Sequence, residues 1–210
     1  MPDEWFRSPA WDEAARADFE ARLGRARPYN RQQYLRIKGL SLRAAGNVGA
    51  ARQLLERATE DPDAALFMTV AAWETLADMA AESGHRDNAE QLYRRILSEQ
   101  PSLSGTTGSV EISLAESLLD GRDPADRDEA LSLLNSWIKR KQLKFDSALF
   151  RWHLALIRIA EATGDVETVR RAANTALTLA DRGPQLPRHP DVGLVQTDRA
   201  TLKRLRQLAK

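Results

Sequence analysis

"AAESGHRDNAEQLY", residues Ala80 to Tyr93, is a strongly helix-forming run that breaks once, at Ser83-Gly84-His85, and resumes at once. Before the break, Trp73, Leu76, Ala77 and Ala80 share one face of a 3.6-residue period; after it, Ala89, Leu92, Tyr93, Ile96 and Leu97 share another. Gly84 can take the left-handed conformation that ends a helix without a Cβ penalty, and Asp87 or Asn88 is placed to cap the next helix. Small Ala77 and Ala89 allow close approach of two helix axes, while Trp73 and Tyr93 fill the wider spaces. The pattern predicts an antiparallel helical hairpin closed at Pro101.

Thirty-eight residues upstream, Gly46 sits at the centre of a second copy, Leu35, Gly39, Leu42, Ala51, Leu55 and Ala58, closed by Pro62. Eighty residues downstream of Gly84, Gly164 is flanked in similar phase by Leu156, Ala160, Val169, Ala173 and Ala176. Between them Leu114, Ala115, Leu118, Ala130, Leu134 and Trp137 supply a further hairpin, with "DGRDPAD" as a lengthened turn. Glycine and proline punctuate apolar residues recurring every three or four positions along nearly the whole chain, and no stretch reads as a strand.

The set Trp73, Leu76, Ala77, Ala80, Gly84, Ala89, Tyr93 and Pro101 resembles the tetratricopeptide repeat (TPR) pattern, with alanine where the pattern has glycine after the leucine. The resemblance extends over about residues 30–180 and is similar to that of bacterial TPR proteins. It implies an all-α, right-handed α-solenoid of TPR-like hairpins with capping helices at both ends. The expected organisation is an N-terminal capping helix in 1–29, four hairpins in 30–181 (about 32–62, 70–101, 108–138 and 148–180), and a proline-rich segment with a last helix in 182–210. The first helix is expected to start at Ser8 as N-cap with Pro9 in the first helical position, and to carry Trp11, Ala15, Phe19 and Leu23. Leu202, Leu205 and Leu208 form the stripe of the last helix, which is expected to cover the other end.

Composition narrows the function. The chain has 210 residues, no cysteine, and 31 basic against 30 acidic residues for a formal charge of +1. The absence of thiols removes disulfide frameworks and thiolate metal sites, so a reducing, cytoplasmic setting is expected. The balanced charge argues against nucleic-acid binding over the whole surface. The opening "MPDEWFRSPAWDEAARADF" is read as neither signal peptide nor anchor, and no run is long and apolar enough for a membrane span. Abundant arginine and alanine point to a GC-rich bacterial source.

Nothing in the motifs suggests an enzyme. His85, His153 and His189 lie in a turn, on a helix and in the proline-rich segment, without metal-ligand spacing, so no metal and no cofactor are expected. "GTTGS", Gly105 to Ser109, lacks the lysine and the preceding strand of a phosphate-binding loop and reads as a flexible linker. The tryptophans fall mostly at core phase, with Trp5 the one candidate for ligand stacking.

Glu74, Asp78 and Glu82 stand at successive i,i+4 positions, where like charges repel by a few tenths of a kcal/mol per pair unless solvated or answered by a cation. In TPR proteins the first helix of each hairpin lines the concave surface. The resemblance therefore implies a partner-binding groove formed by Arg36 and Leu40, Glu74 and Asp78, Ile112 and Glu116, and Leu154 and Arg158. It also excludes the carboxylate clamp of chaperone-tail adaptors, because Leu40, Thr75, Asp78, Ser109 and Ser113 stand where that clamp has its lysines and asparagines. The implied function is a non-enzymatic protein-interaction scaffold for a peptide or helix of a partner, basic or amphipathic. Two alternatives are a nucleic-acid-associated regulator using the basic last helix (Arg199, Lys203, Arg204, Arg206 and Lys210) and a homo-oligomeric structural module.

Overall fold

A computed structural model describes residues 4–60, 65–121 and 123–210. Among the described residues there are ten α-helices, one short 3-10 turn at Trp5–Arg7 and no strand. The helices are α1 (Glu13–Arg25), α2 (Pro28–Ala44), α3 (Val48–Glu60), α4 (Leu66–Glu82), α5 (Arg86–Glu99), α6 (Val110–Leu119), α7 (Pro124–Lys139), α8 (Asp146–Thr163), α9 (Val166–Ala180) and α10 (Arg199–Leu208).

The three glycines of the sequence pattern end three helices in one way. Gly46, Gly84 and Gly164 have φ of +82°, +75° and +73°. In each case the following N–H reaches back to a carbonyl five residues earlier: Asn47 to Leu42, His85 to Ala80 and Asp165 to Ala160, all at 2.9 Å. This is the Schellman closure, in which a left-handed residue satisfies carbonyls the helix leaves open. The expected bends of the α2–α3, α4–α5 and α8–α9 hairpins are therefore present.

Contacts divide the chain into two compact units, Met1–Val110 and Glu111–Lys210. In the first, α2 packs on α3 and α4 on α5, with α3 and α4 joining the two hairpins. Its core includes Phe19, Leu23, Leu35, Leu42, Leu55 and Met79. Gly39 is required where α2 meets α3, because a Cβ there would lie 2.9 Å from Leu55 Cγ. In the α4–α5 hairpin Ala77 and Ala89 are fully buried, as their small size anticipates, and the Arg95 guanidinium stacks 3.9 Å over the Trp73 ring. In the second unit α8 packs on α9 and α10 on α9, around Phe150, Ile157, Val169, Ala173 and Leu205. Ala130, Leu134 and Trp137 of α7 are buried, and the Trp152 indole N–H donates to the Leu134 carbonyl at 2.9 Å.

Several local expectations are corrected. The N-cap of α1 is Asp12, whose carboxylate accepts the Ala15 N–H at 2.8 Å, and not Ser8. Asp12 wins because residues 5–11 turn back to pack on α2. Trp5 meets Phe6, Phe19 and Tyr34 with ring centroids 5.1–5.6 Å apart, so it is a packing residue and not a stacking platform. Lys38, buried on α2, donates to the carbonyls of Ser8 (2.6 Å) and Ala10 (3.0 Å) and fixes that segment. Neither Asp87 nor Asn88 caps α5; its N-cap is His85, without a side-chain bond, two residues ahead of Asp87, because after the Schellman closure at Gly84 the helix restarts at once. The turn before α7 is shorter than expected, since Asp123 caps and Pro124 already opens the helix. Pro62 lies outside the described residues.

The segment Ser102–Ser109 is no flexible linker. Gly105 (φ +92°) lies against the backbone of Phe67, where a Cβ would come within 1.9 Å of the carbonyl oxygen. Leu103 is buried with φ +56°, a conformation that costs a non-glycine residue about 1–2 kcal/mol. Glu74 holds this loop from below.

The proline-rich segment closes on α8. The N–H groups of Asp146 and Ser147, which a helix start leaves without partners, donate to Gln185 Oε1 (2.8 Å) and the Gly193 carbonyl (2.9 Å). Arg182 pairs with the buried Asp146 carboxylate at 3.1 Å.

Candidate partner-binding surface

In the first unit, first helices α2 and α4 carry Arg36, Leu40, Glu74 and Asp78. Arg36 and Leu40 are half-buried, and Arg36 Nε is shielded from solvent without a hydrogen-bond partner among the described residues. Glu74 does not face outward as expected. It is buried, and its carboxylate accepts the Thr107 N–H at 2.8 Å and the Thr107 hydroxyl at 2.5 Å. Burial raises its pKa above the ordinary value; the two Thr107 bonds and the Arg36 charge oppose that rise, and Asp78 adds to it. Asp78 accepts the Tyr93 hydroxyl at 2.7 Å, and Glu82 pairs with Arg43 of α2 at 2.6 Å. The acidic stripe is thus answered within the chain.

In the second unit Ile112 is fully buried and belongs to the core with Leu114, Ala115 and Leu118 of α6. Glu116, Leu154 and Arg158 do converge. They line one pocket of about 280 Å³ together with Ile157 of α8 and Thr201, Arg204, Leu205 and Leu208 of α10. Its floor is aliphatic and its rim charged. Arg151 of α8 grips both carboxylate oxygens of Glu116 and donates to the Ser113 hydroxyl at 2.9 Å. Arg158 reaches Asp120 at 2.7 Å, and Arg204 reaches Glu161 at 2.5 Å. Arginines on α8 and α10 therefore pair with acids on the preceding first helix or just past its end, so that α10 takes the position a further first helix would occupy.

From the sequence Arg151 is not marked, Arg204 is read only as part of the basic last helix, and Thr107 only as part of the GTTGS linker. For Arg204 a signal existed: Thr201, Arg204, Leu205 and Leu208 have the i, i+3, i+4, i+7 spacing of one helix face. For Thr107 and Arg151 the partner is about thirty-five residues away, and nothing local marks it. Among the described residues no group of three His, Asp or Glu side chains could hold a metal ion, and no helix is long and apolar enough to cross a membrane.

Antiparallel helical hairpins that repeat one bend define an α-helical repeat protein. The sequence model described as tetratrico peptide repeat matches residues 69–188, more than half of the chain, and the chain belongs to that family. The matched region runs from α4 through α9, so the α2–α3 hairpin lies outside it and is tied to the repeat by its Gly46 bend and its Gly39 contact. No curated protein matches the chain. The family in general mediates protein–protein interaction, and its all-helical fold typically serves as a non-catalytic scaffold.

Proposed function

We propose that the chain is a non-enzymatic interaction module that holds a peptide or helix of a partner protein against the first helices of its hairpins. The observation carrying this reading is the convergence of Glu116, Leu154 and Arg158, from two first helices, on one half-enclosed pocket with an aliphatic floor. Arg36, Leu40 and Asp78 are the corresponding contact residues of the first unit, while Glu74 and Ile112 act from behind as supports. A pre-formed helical surface lowers the ordering penalty on one side of the complex. The partner segment is amphipathic. A basic partner loses its motive, because Glu74, Asp78 and Glu82 each already have an internal hydrogen-bond or ion-pair partner.

Affinity capture from the native cells, using the full chain and a Leu154→Glu variant verified as helical by circular dichroism, tests this. The expected result is a protein retained by the wild type and lost by the variant. Equal retention by both, or no retained protein, contradicts it.

A second reading rests on Arg199, Lys203, Arg206 and Lys210, which are exposed on the side of α10 opposite buried Leu205 and make it a candidate nucleic-acid contact. A mobility-shift assay at low salt with Lys203→Glu plus Arg206→Glu separates the two, since only this reading requires binding that the variant abolishes.

A further inference from the structure

The geometry points to an acidic amphipathic segment of another protein as the occupant of the α6–α8–α10 pocket, with one large apolar side chain on its floor and carboxylates on Arg158 and Arg204. This rests on the interaction-module reading and specifies the chemistry of the partner.

The volume sets the first limit. At about 280 Å³ the pocket is at or below the small end of ligand-binding cavities, which start near about 300 Å³, and suits a single large side chain better than a cofactor-sized molecule. Leu154, Ile157, Leu205 and Leu208 form its floor, so the inserted group is apolar.

Charge sets the second. Of the three charged residues lining the pocket, Glu116 is the one acid, and both its oxygens are taken by Arg151, which leaves it little to offer a cation. Arg158 and Arg204 are each held by a single ion-pair contact, where Arg151 grips Glu116 with two. Their partners are Asp120, with a side chain 69% exposed, and Glu161, and the Arg204 side chain is itself 58% exposed. Such solvent-exposed pairs contribute little to stability, so a guanidinium can turn to an incoming carboxylate at small loss, and desolvation by the bound segment then strengthens the new pair. An anionic partner gains two guanidinium contacts beside the pocket, whereas a cationic one would have to displace Arg151 from Glu116.

Nucleic acid fits this pocket less well. Its floor has no aromatic ring on which a base could stack. The cations that would track a phosphate backbone, Arg199, Lys203, Arg206 and Lys210, lie on the other side of α10.

The test is selection of a library of short random displayed peptides on the immobilised full chain, followed by affinity measurements on synthetic copies of the enriched peptides. Enriched sequences are expected to hold a large apolar residue flanked within one helical turn by Asp or Glu. Their binding should weaken at least about tenfold, equivalent to about 1.4 kcal/mol, with Arg158→Glu and with Leu208→Trp, which fills the pocket from the side. Thermal unfolding of both variants confirms that they fold; if Leu208→Trp does not, Arg204→Glu replaces it. Enrichment of basic or uncharged peptides, or binding indifferent to these substitutions, overturns this inference and leaves the interaction-module reading standing. Recovery of no specific peptide overturns both. A single-stranded oligonucleotide that competes for the pocket, with loss on Arg158→Glu, replaces the acidic peptide with nucleic acid and overturns the inference.

Discussion

Glu74 and Thr107 are joined by two hydrogen bonds through one side chain: the buried carboxylate on α4 accepts both the N–H, at 2.8 Å, and the hydroxyl, at 2.5 Å, of the loop residue. The same hydroxyl accepts the Ser109 N–H at 3.3 Å, and Thr106 bonds to Leu103 and Gly108, so the loop is braced internally and hydrogen-bonded to α4 through Thr107. A carboxylate that the sequence places on a binding face instead fixes the connection that follows the α4–α5 hairpin.

Removing the hydroxyl leaves a buried carboxylate short of one donor. Thr107→Val is expected to destabilise the protein by about 1–3 kcal/mol in urea unfolding, and Glu74→Ala combined with Thr107→Val by less than the sum of the two single changes. Additive effects would mean that the two residues act independently.

Two left-handed glycines, Gly84 at the α4–α5 bend and Gly105 in the loop after α5, differ in what surrounds them. No atom lies within 4 Å of a Cβ built on Gly84, whereas one on Gly105 meets the Phe67 carbonyl at 1.9 Å. Gly84→Ala is expected to cost about 1 kcal/mol, the left-handed penalty alone, and Gly105→Ala about 3 kcal/mol or more, with faster proteolysis of the loop. Equal losses would contradict the docked loop.

Most of the fold was legible because its information is local. A glycine at a helix end and apolar residues at three- and four-residue spacing identify Gly46, Gly84 and Gly164 without reference to anything distant. The pocket was half legible: the tetratricopeptide resemblance brings Leu154 and Arg158 to the surface it implies, but α10 was read as a cover or a nucleic-acid contact and not as a pocket wall, although Thr201, Arg204, Leu205 and Leu208 share a face. Glu74 and Ile112 were misplaced for a physical reason. Helices α4 and α6 have apolar or small residues nearly all round, so periodicity does not tell the face covered by a loop from the face left open. Lys38 is the extreme case, a charge buried on α2 because two carbonyls of a preceding segment receive it.

Lys38 therefore has a testable role. Lys38→Met keeps most of the volume but leaves the Ser8 and Ala10 carbonyls without their ammonium. A loss of about 1–3 kcal/mol is expected, together with proteolytic access to residues before α1 that the wild type denies. Unchanged protection of that segment would show that the aromatic cluster of Trp5, Phe6 and Tyr34 holds it alone.

Mild acid should act on the two units in opposite directions. His153, packed edge-on to Trp152 at 4.9 Å, is held by burial at a pKa of about 4, and its Nδ1 has no hydrogen-bond partner among the described residues. The unfolded chain takes up the proton first, so stability present above about pH 6.5 is lost as the pH falls toward 4, by about 1–2 kcal/mol after discounting for partial exposure. Glu74 has the opposite sign. Its folded pKa is raised by burial, so its contribution is present at low pH and is lost as the pH rises through that raised value. Hydrogen exchange at pH 7.5 and pH 5 is expected to show α8 weakening, an effect that His153→Leu removes, while the 102–109 loop is preserved.

The most direct test of partner binding through the first helices is amide hydrogen exchange on the full chain with and without the captured partner. New protection is expected on α2 and α4 or on α6, α8 and the pocket side of α10, with α3, α5, α7 and α9 unchanged. Protection confined to those second helices, or to the exposed basic residues of α10, would contradict it.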